Sequence, residues 1–205
     1  MNGHLNMAAD RELFNRASNG EAGARVYRWD GPWVSLGHWQ KAERDLVNPD
    51  IVPWVQRPTG GKAVLHGHDV TVAMSFPLQA LQVSPKQVRK TYRLLADPMV
   101  RALRACGLDC ALAEDTAFTG RGPRTADCFA HISPSDIVHR TLGVKVCGCA
   151  LRLSEEAVLL QASVPAGAPL VDPARLFKGS AMPEATPWDS ASLATALEEA
   201  LKAPL

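Results

Sequence analysis

Residues 57–68 read Arg57-Pro58-Thr59-Gly60-Gly61-Lys62-Ala63-Val64-Leu65-His66-Gly67-His68 and lie between two strand-like runs, 51–56 and 70–76. No other stretch constrains the fold as strongly. Two adjacent glycines let a backbone pass close to another group with no Cβ in the way. Set between strands, they make either a plain hairpin turn or a loop that holds a ligand across a sheet edge. The run that follows alternates, with Val70, Val72, Met74 and Phe76 on one face and Thr71, Ala73 and Ser75 on the other. A period of two predicts a strand buried on one face.

The rest of the pattern is mixed. Residues 5–18 read as a helix with Leu5, Ala9, Leu13, Phe14 and Ala17 inward, stopped by Asn19-Gly20. Residues 24–29 and 33–36 alternate like short strands around Gly31-Pro32. The loop Gly37-His38-Trp39-Gln40 follows, its polar tips toward a ligand or its Trp39 simply packed. Pro53 marks 51–56 as an edge strand or a bulge.

Ser84-Pro85 predicts the cap and first turn of a helix carrying Val88, Tyr92, Leu95, Met99 and Leu103, kinked or split at Pro98 and ending near Gly107. Its Arg89, Lys90, Arg93, Arg101 and Arg104 form either a solvated face or a dock for an acidic carrier. Residues 108–113 suit a strand, and 114–127 a long loop able to act as a lid. Three antiparallel strands are expected over 137–141, 144–153 and 157–164. Asp172-Pro173 caps a short helix to Lys178, and a last helix starts at Asp189 or Ser190 and runs through Leu193, Leu197 and Leu201. The expectation is one mixed α/β (α+β) domain over 1–205, with a mainly antiparallel sheet flanked by helices.

Composition removes several functions. A net charge of +1 over 205 residues leaves neither sign in excess, which argues against nucleic acid or a membrane surface as partner. No window approaches ~18 apolar residues, and Met1-Asn2-Gly3-His4 does not open a signal peptide, so the cytoplasm is expected. Five cysteines with no Cys-x-x-Cys pair suit neither a disulfide framework nor structural zinc. Cys147-Gly148-Cys149 puts two thiols on one strand face, as small core residues or a weak metal site. His66-Gly67-His68 offers two imidazoles on one strand face but no nearby acidic partner, so no metal is expected. Lys62 is followed by Ala63 rather than Ser or Thr, which rules out a phosphate loop, and neither G-x-G-x-x-G nor G-x-S-x-G occurs.

A second concentration spans 127–150. Lys145 sits among Val144, Val146 and Gly148 in an apolar strand. Burying an ammonium is costly unless an anion or dipole answers it. Lys145 is therefore either turned outward to solvent or aimed at a phosphate or a polarised acyl carbonyl. Cys128, at a loop end, becomes a nucleophile if a cation such as Lys145 lowers its pKa.

Three blocks resemble the lipoate–protein ligase and octanoyltransferase family of the biotin/lipoyl-ligase superfamily. The first is Leu5-Asn6-Met7-Ala8-Ala9-Asp10 with Arg25–Trp29 and Ser35-Leu36-Gly37-His38-Trp39-Gln40; the second is Arg57–His66. The third is Cys128-Phe129, Pro134-Ser135-Asp136-Ile137 and Gly143–Ala150. The resemblance implies a fold akin to class II synthetase cores with a medium-chain acyl group beside the Gly-Gly turn. It implies that Arg57, Thr59, Gly60, Gly61, His66, Asp136, Gly148 and Ala150 line an acyl or acyl-adenylate pocket, with Lys145 on the carbonyl or phosphate.

The third block departs from the family at Leu151, where Gln is usual, and the next strand reads Leu160-Gln161-Ala162-Ser163 without the usual histidine. With the chain ending at Leu205, no C-terminal accessory domain is expected. Three functions follow. One is octanoyl transfer from acyl carrier protein through a Cys128 thioester, with no tightly bound cofactor, to a lipoyl domain or glycine-cleavage H protein. The second is ATP- and Mg-dependent lipoate ligation, with a separate accessory subunit. The third is a non-catalytic acyl- or carrier-binding module.

Overall fold

In a computed structural model, residues 1–182 and 190–200 are described. The chain runs α1 (Gly3–Ser18), β1 (Gly23–Tyr27), β2 (Trp33–Leu36), a one-turn α2 (Ala42–Asp45), β3 (Trp54–Gln56), β4 (Val64–His66) and β5 (Asp69–Pro77). It continues with α3 (Val88–Ala105), β6 (Cys110–Leu112), β7 (Ile137–His139), β8 (Lys145–Leu153), β9 (Ala157–Pro165) and α4 (Ser190–Ala200). Six strands form one antiparallel sheet in the order β1-β5-β9-β8-β7-β6. A smaller sheet, β3-β2-β4, pairs β2 parallel to β3 and antiparallel to β4. The mixed α+β class with a mainly antiparallel sheet is therefore the observed one.

The alternating run does become the spine of the fold, but both of its faces are covered. Val70, Val72 and Met74 pack against Leu95, Met99 and Leu103 of α3 and Leu193 and Leu197 of α4. On the other face Ala73 joins Met7, Phe14 and Ala17 of α1 in a separate core, and Thr71 and Ser75 are buried as well. A small or hydroxylic residue at alternate positions here marks closely packed helix, with the hydroxyls bonded internally, rather than water.

Other expectations shift for local reasons. In α1 the N-cap is Asn2, whose Oδ1 accepts from Leu5 N, but Leu5 itself faces solvent. The inward face instead carries the polar Asn6 and Asp10, because both bond across to Arg25. Only Trp54–Gln56 of 51–56 is strand. Helix α3 starts at Val88, since Ser84 is spent in a preceding turn with Gln87, and it passes through Pro98 unbroken as one 18-residue helix. The segment after Asp172 is a single 3-10 turn, Pro173–Arg175, capped by Asp172 as expected. Asp189 and Leu201 lie outside the described residues. Arg89 and Arg93 are tied to Glu114, and Arg101 to Asp97, so much of the basic face of α3 is already paired. No helix among the described residues is long and apolar enough to cross a membrane.

Candidate active site

The Gly-Gly turn crosses from β3 to β4 and lies over the middle of the large sheet. Arg57 holds it there. Its buried guanidinium donates to the Ser35, Gly60 and Lys62 carbonyls at 3.0, 2.6 and 2.7 Å, and its Nε to Thr59 Oγ1 at 3.1 Å. Thr59 Oγ1 donates in turn to Gln161 Oε1 on β9 (2.6 Å), and Gln161 Nε2 donates to Asp10 (2.5 Å). Asp10 also accepts from Arg25 (2.6 Å) and Tyr27 (2.7 Å). The turn is thus fastened through one polar chain to α1, β1 and β9. Gly61 has φ +85°, a conformation that strains any residue with a Cβ.

Between this turn and the sheet runs a narrow slot of about 40 Å3. Arg57, Gly61, His66, Cys128, Gly148 and Ala150 all line it, with Met7 and Trp29 among the further walls. Thr59, Gly60 and Asp136 stand one layer behind. Thr59 bonds Gln161, Gly60 N donates to Leu151 O (3.3 Å), and Asp136 lies under Lys145.

His66 is fixed from three sides. Its Nδ1 is 2.7 Å from Asp69 Oδ2, its Nε2 is 2.8 Å from Ser35 Oγ, and Trp29 stacks on its ring at 4.0 Å. Asp69 also accepts from Thr71, Ser163 and the Gly67 amide. Burial pushes this carboxyl up, but the His66 imidazole and the hydroxyl of Ser163 outweigh it and hold it at about 2. Asp69, three residues beyond His66, is the acidic partner that the sequence reading did not credit. His66 and His68 do not share a face: His66 lines the slot, whereas His68 lines a second cavity. Among the described residues no group of three or more metal-ligating side chains gathers.

Lys145 is the first residue of β8, and it is turned inward. Its Nζ pairs with Asp136 Oδ2 at 2.8 Å and donates to Cys128 O at 2.7 Å, Cys128 Sγ at 3.2 Å and His131 O at 3.3 Å. Asp136 is itself held by the amides of Ser133 and Cys149. Burial alone would lower the Lys145 ammonium, but Cys128 and Asp136 raise it above the ordinary lysine value. Burial pushes the Cys128 thiol up, and Lys145 pulls it back without cancelling the rise. Gly148 makes this contact possible, because a Cβ there would stand 3.1 Å from Cys128 Sγ and 3.2 Å from Lys145 Cε. Cys147 and Cys149 are buried free thiols packed in the α3 core with their sulfurs 3.8 Å apart, and Cys149 is also among the residues that line the slot.

The second cavity, about 260 Å3, is lined by Lys145, whose Nζ lies 3.2 Å from Cys128 Sγ on the slot wall. Its walls include His68, Asp127, Phe129 and Phe177. Asp127 accepts from Phe129 N and Ser180 Oγ at 2.9 Å each, and burial raises its carboxyl. Taken together, the arrangement has an apolar-sided slot that ends on a thiol, a fixed cation beside that thiol, and a separate wider approach to the same cation. It is suited to holding a chain by one end while a carbonyl reacts at the other.

The model for the lipoyl protein ligase A/B catalytic domain matches residues 2–202. An octanoyltransferase LipM of an Exiguobacterium species is 31% identical over 96% of this chain and 74% of that protein. The octanoyltransferase LipM of Geobacillus kaustophilus is 32% identical over 77% of this chain, but the match spans only 59% of that protein. In fold, the chain is similar to a T. acidophilum protein solved with bound lipoic acid (TM-score 0.72, 18% identity, 97% of this chain and 79% of that one). It is equally similar to a lipoate-protein ligase A solved with ATP (TM-score 0.72, 19% identity, 97% and 79%).

Proposed function

The chain belongs to the lipoyl protein ligase A/B catalytic domain family, enzymes of protein lipoylation, and on that premise we propose octanoyl transfer through a Cys128 thioester. The donor is octanoyl-acyl carrier protein, and the acceptor is a lysine of a lipoyl domain or glycine-cleavage H protein. The observation that carries this reading is Lys145 Nζ lying 3.2 Å from Cys128 Sγ with its charge fixed by Asp136. The octanoyl chain takes the slot, and flexible Met7 yields to it, since an unbranched thioether repacks at little cost.

Cys128 Sγ loses its proton and attacks the thioester carbonyl carbon. The carbonyl oxygen gains the negative charge beside Lys145, a position where one cation is worth roughly 10²–10³ in rate. The C–S bond to the carrier breaks, and the carrier thiol leaves with a proton. The acceptor amine then attacks the acyl-Cys128 carbonyl, the bond to Sγ breaks, the surplus proton of the nitrogen passes to the Cys128 thiolate, and an amide and the free thiol remain. Intact-mass measurement after mixing with octanoyl-carrier should find an acyl adduct on the wild type and none on Cys128→Ser, which should also lose transfer.

The second reading is ATP-dependent lipoate ligation, in which Lys145 holds an adenylate phosphate. What favours it is the position of Lys145 on the wider cavity, with its Nζ 3.2 Å from the thiol that lines the slot. Full activity of Cys128→Ser with lipoate, ATP and Mg would decide for it.

A further inference from the structure

The pairing of the large sheet gives the slot a direction. Gly148 on β8 is opposite Ser163 on β9, Ser163 is opposite Thr71 on β5, and Thr71 is opposite Tyr27 on the edge strand β1. All four line the slot. It therefore crosses the strands along one register row. The reacting end lies at Gly148, where an added Cβ would stand 3.1 Å from Cys128 Sγ.

Both flanks of that row are shut. On one side the next row is Ala150, Gln161 and Ala73, and the Gly-Gly turn sits on it. A Cβ on Gly61 would lie 3.7 Å from Ala150 Cβ, and Thr59 bonds Gln161 at 2.6 Å. On the other side Asp69 draws in the hydroxyls of Ser163 (2.7 Å) and Thr71 (3.0 Å) and the ring of His66 (2.7 Å). The hydroxyls of the floor are thus already bonded, so an alkyl chain laid along the row strands no polar group there. The row ends at the buried Tyr27 ring, which stands up from β1 and donates to Asp10 of α1 at 2.7 Å. The Arg25 guanidinium lies 3.9 Å from the centre of that ring. Beside it the buried Trp29 donates to Thr71 Oγ1 at 2.9 Å and stacks on His66 at 4.0 Å. Neither ring can swing aside without breaking a buried hydrogen bond, so the end wall is rigid.

The row has a length. Neighbouring strands lie about 4.8 Å apart, so Gly148 to Tyr27 is three steps, about 14 Å. An extended alkyl chain with C–C bonds of about 1.5 Å gains about 1.25 Å per carbon. A carbonyl held over Gly148 beside Cys128 puts the eighth carbon about 9 Å along, close to two strand steps, at Thr71 and against the Tyr27 ring. Two more carbons would need about 2.5 Å that the ring occupies. We infer that the row Gly148–Ser163–Thr71–Tyr27 is a chain-length gauge, with the Tyr27 ring, backed by Trp29, as the stop that limits the acyl group to about eight carbons. The inference rests on the Cys128 thioester reading for the position of the acyl carbonyl.

The test is acylation by butanoyl-, octanoyl- and decanoyl-carrier, followed by intact mass on wild type, Tyr27→Leu, Tyr27→Phe and Ser163→Leu. Rates are compared between chains within each protein, so a general loss of stability cancels. Wild type should take octanoyl about tenfold faster than decanoyl, and faster still than butanoyl. Tyr27→Leu should raise decanoyl relative to octanoyl about tenfold. Tyr27→Phe keeps the ring and loses only the bond to Asp10, so it should keep the wild-type ratio. Ser163→Leu puts a branched side chain one strand step from Gly148 and should turn the preference to butanoyl. Melting of each variant monitors folding, and the wild-type ratio stands by itself if a variant fails to fold. Equal wild-type rates for octanoyl and decanoyl, an unmoved ratio in folded Tyr27→Leu, a ratio in Tyr27→Phe that moves as far as in Tyr27→Leu, or an octanoyl preference kept by folded Ser163→Leu would each overturn the inference. Absence of an adduct on wild-type Cys128 with all three thioesters would instead overturn the thioester reading beneath it.

Discussion

The turn at 57–69 and the cluster around Cys128 line one slot, yet they are built in opposite ways. Arg57, Thr59, Gly61, His66 and Asp69 come from thirteen consecutive positions and satisfy one another locally or through Ser35 of β2 and Gln161 and Ser163 of β9. Cys128, Asp136 and Lys145 come from a loop end, a turn and the start of β8, and they meet only because β7 and β8 pair. The first region spends its charges on its own backbone: each Arg57 nitrogen has a protein acceptor. In the second, Lys145 still faces a cavity and a thiol, and burial pushes that thiol up while Lys145 pulls it back.

Mutations separate the two. Lys145→Met should have the largest effect. It removes the charge at the forming oxyanion, for a loss of roughly 10²–10³ in transfer rate. It also strands the buried Asp136 carboxylate, at a stability cost of about 3–5 kcal/mol. Adding Asp136→Asn should restore part of the denaturation midpoint and none of the rate. If the rate returned as well, Lys145 would be a structural cation only.

Arg57→Met should invert that outcome. Five acceptors lose their donor, so stability falls by about 3 kcal/mol in urea denaturation. Acyl-Cys128 formation at saturating donor should change far less than KM.

Asp69 gives a pH signature for the wall. Its folded carboxyl at about 2 lies below the ordinary unfolded value, so the stability it contributes is present above about pH 5 and lost as pH falls toward 2. The size is about 2 kcal/mol. Asp69→Asn should flatten this limb in acid denaturation; an unchanged limb would remove Asp69 from the wall's energetics.

Gly148→Ala should act least on stability, about 1 kcal/mol, because Cys128 Sγ and Lys145 Cε need give only a few tenths of an ångström. That displacement falls on the reacting pair, so transfer should slow about tenfold. A wild-type rate here would mean the pair tolerates misplacement.

How much of this is readable from residues alone depends on how local the cause is. The Gly-Gly turn, the strands of residues 69–77, 145–153 and 157–165, and the cap at Asn19-Gly20 follow from turn chemistry and period, and so they match in place. Ser84-Pro85 misled because a capping pair is equally a turn pair, and only Gln87's bond to Ser84 N chose between them. Pro98 is tolerated mid-helix because packing against the core outweighs one missing amide bond.

Residue identity and short spacing determined the family pattern, the wall of the slot and the candidate pair Cys128 and Lys145. Which way Lys145 points was left open, as was what holds it. Asp136 lies nine residues earlier in the chain, and its carboxylate reaches Nζ only across the β7–β8 pairing. The same holds for the second face of β5 and for Asp10 and Gln161 meeting under the turn. Hydrogen bonding and burial at these positions depend on neighbours dozens of residues away, and a one-dimensional pattern carries no record of them until the sheet brings them together.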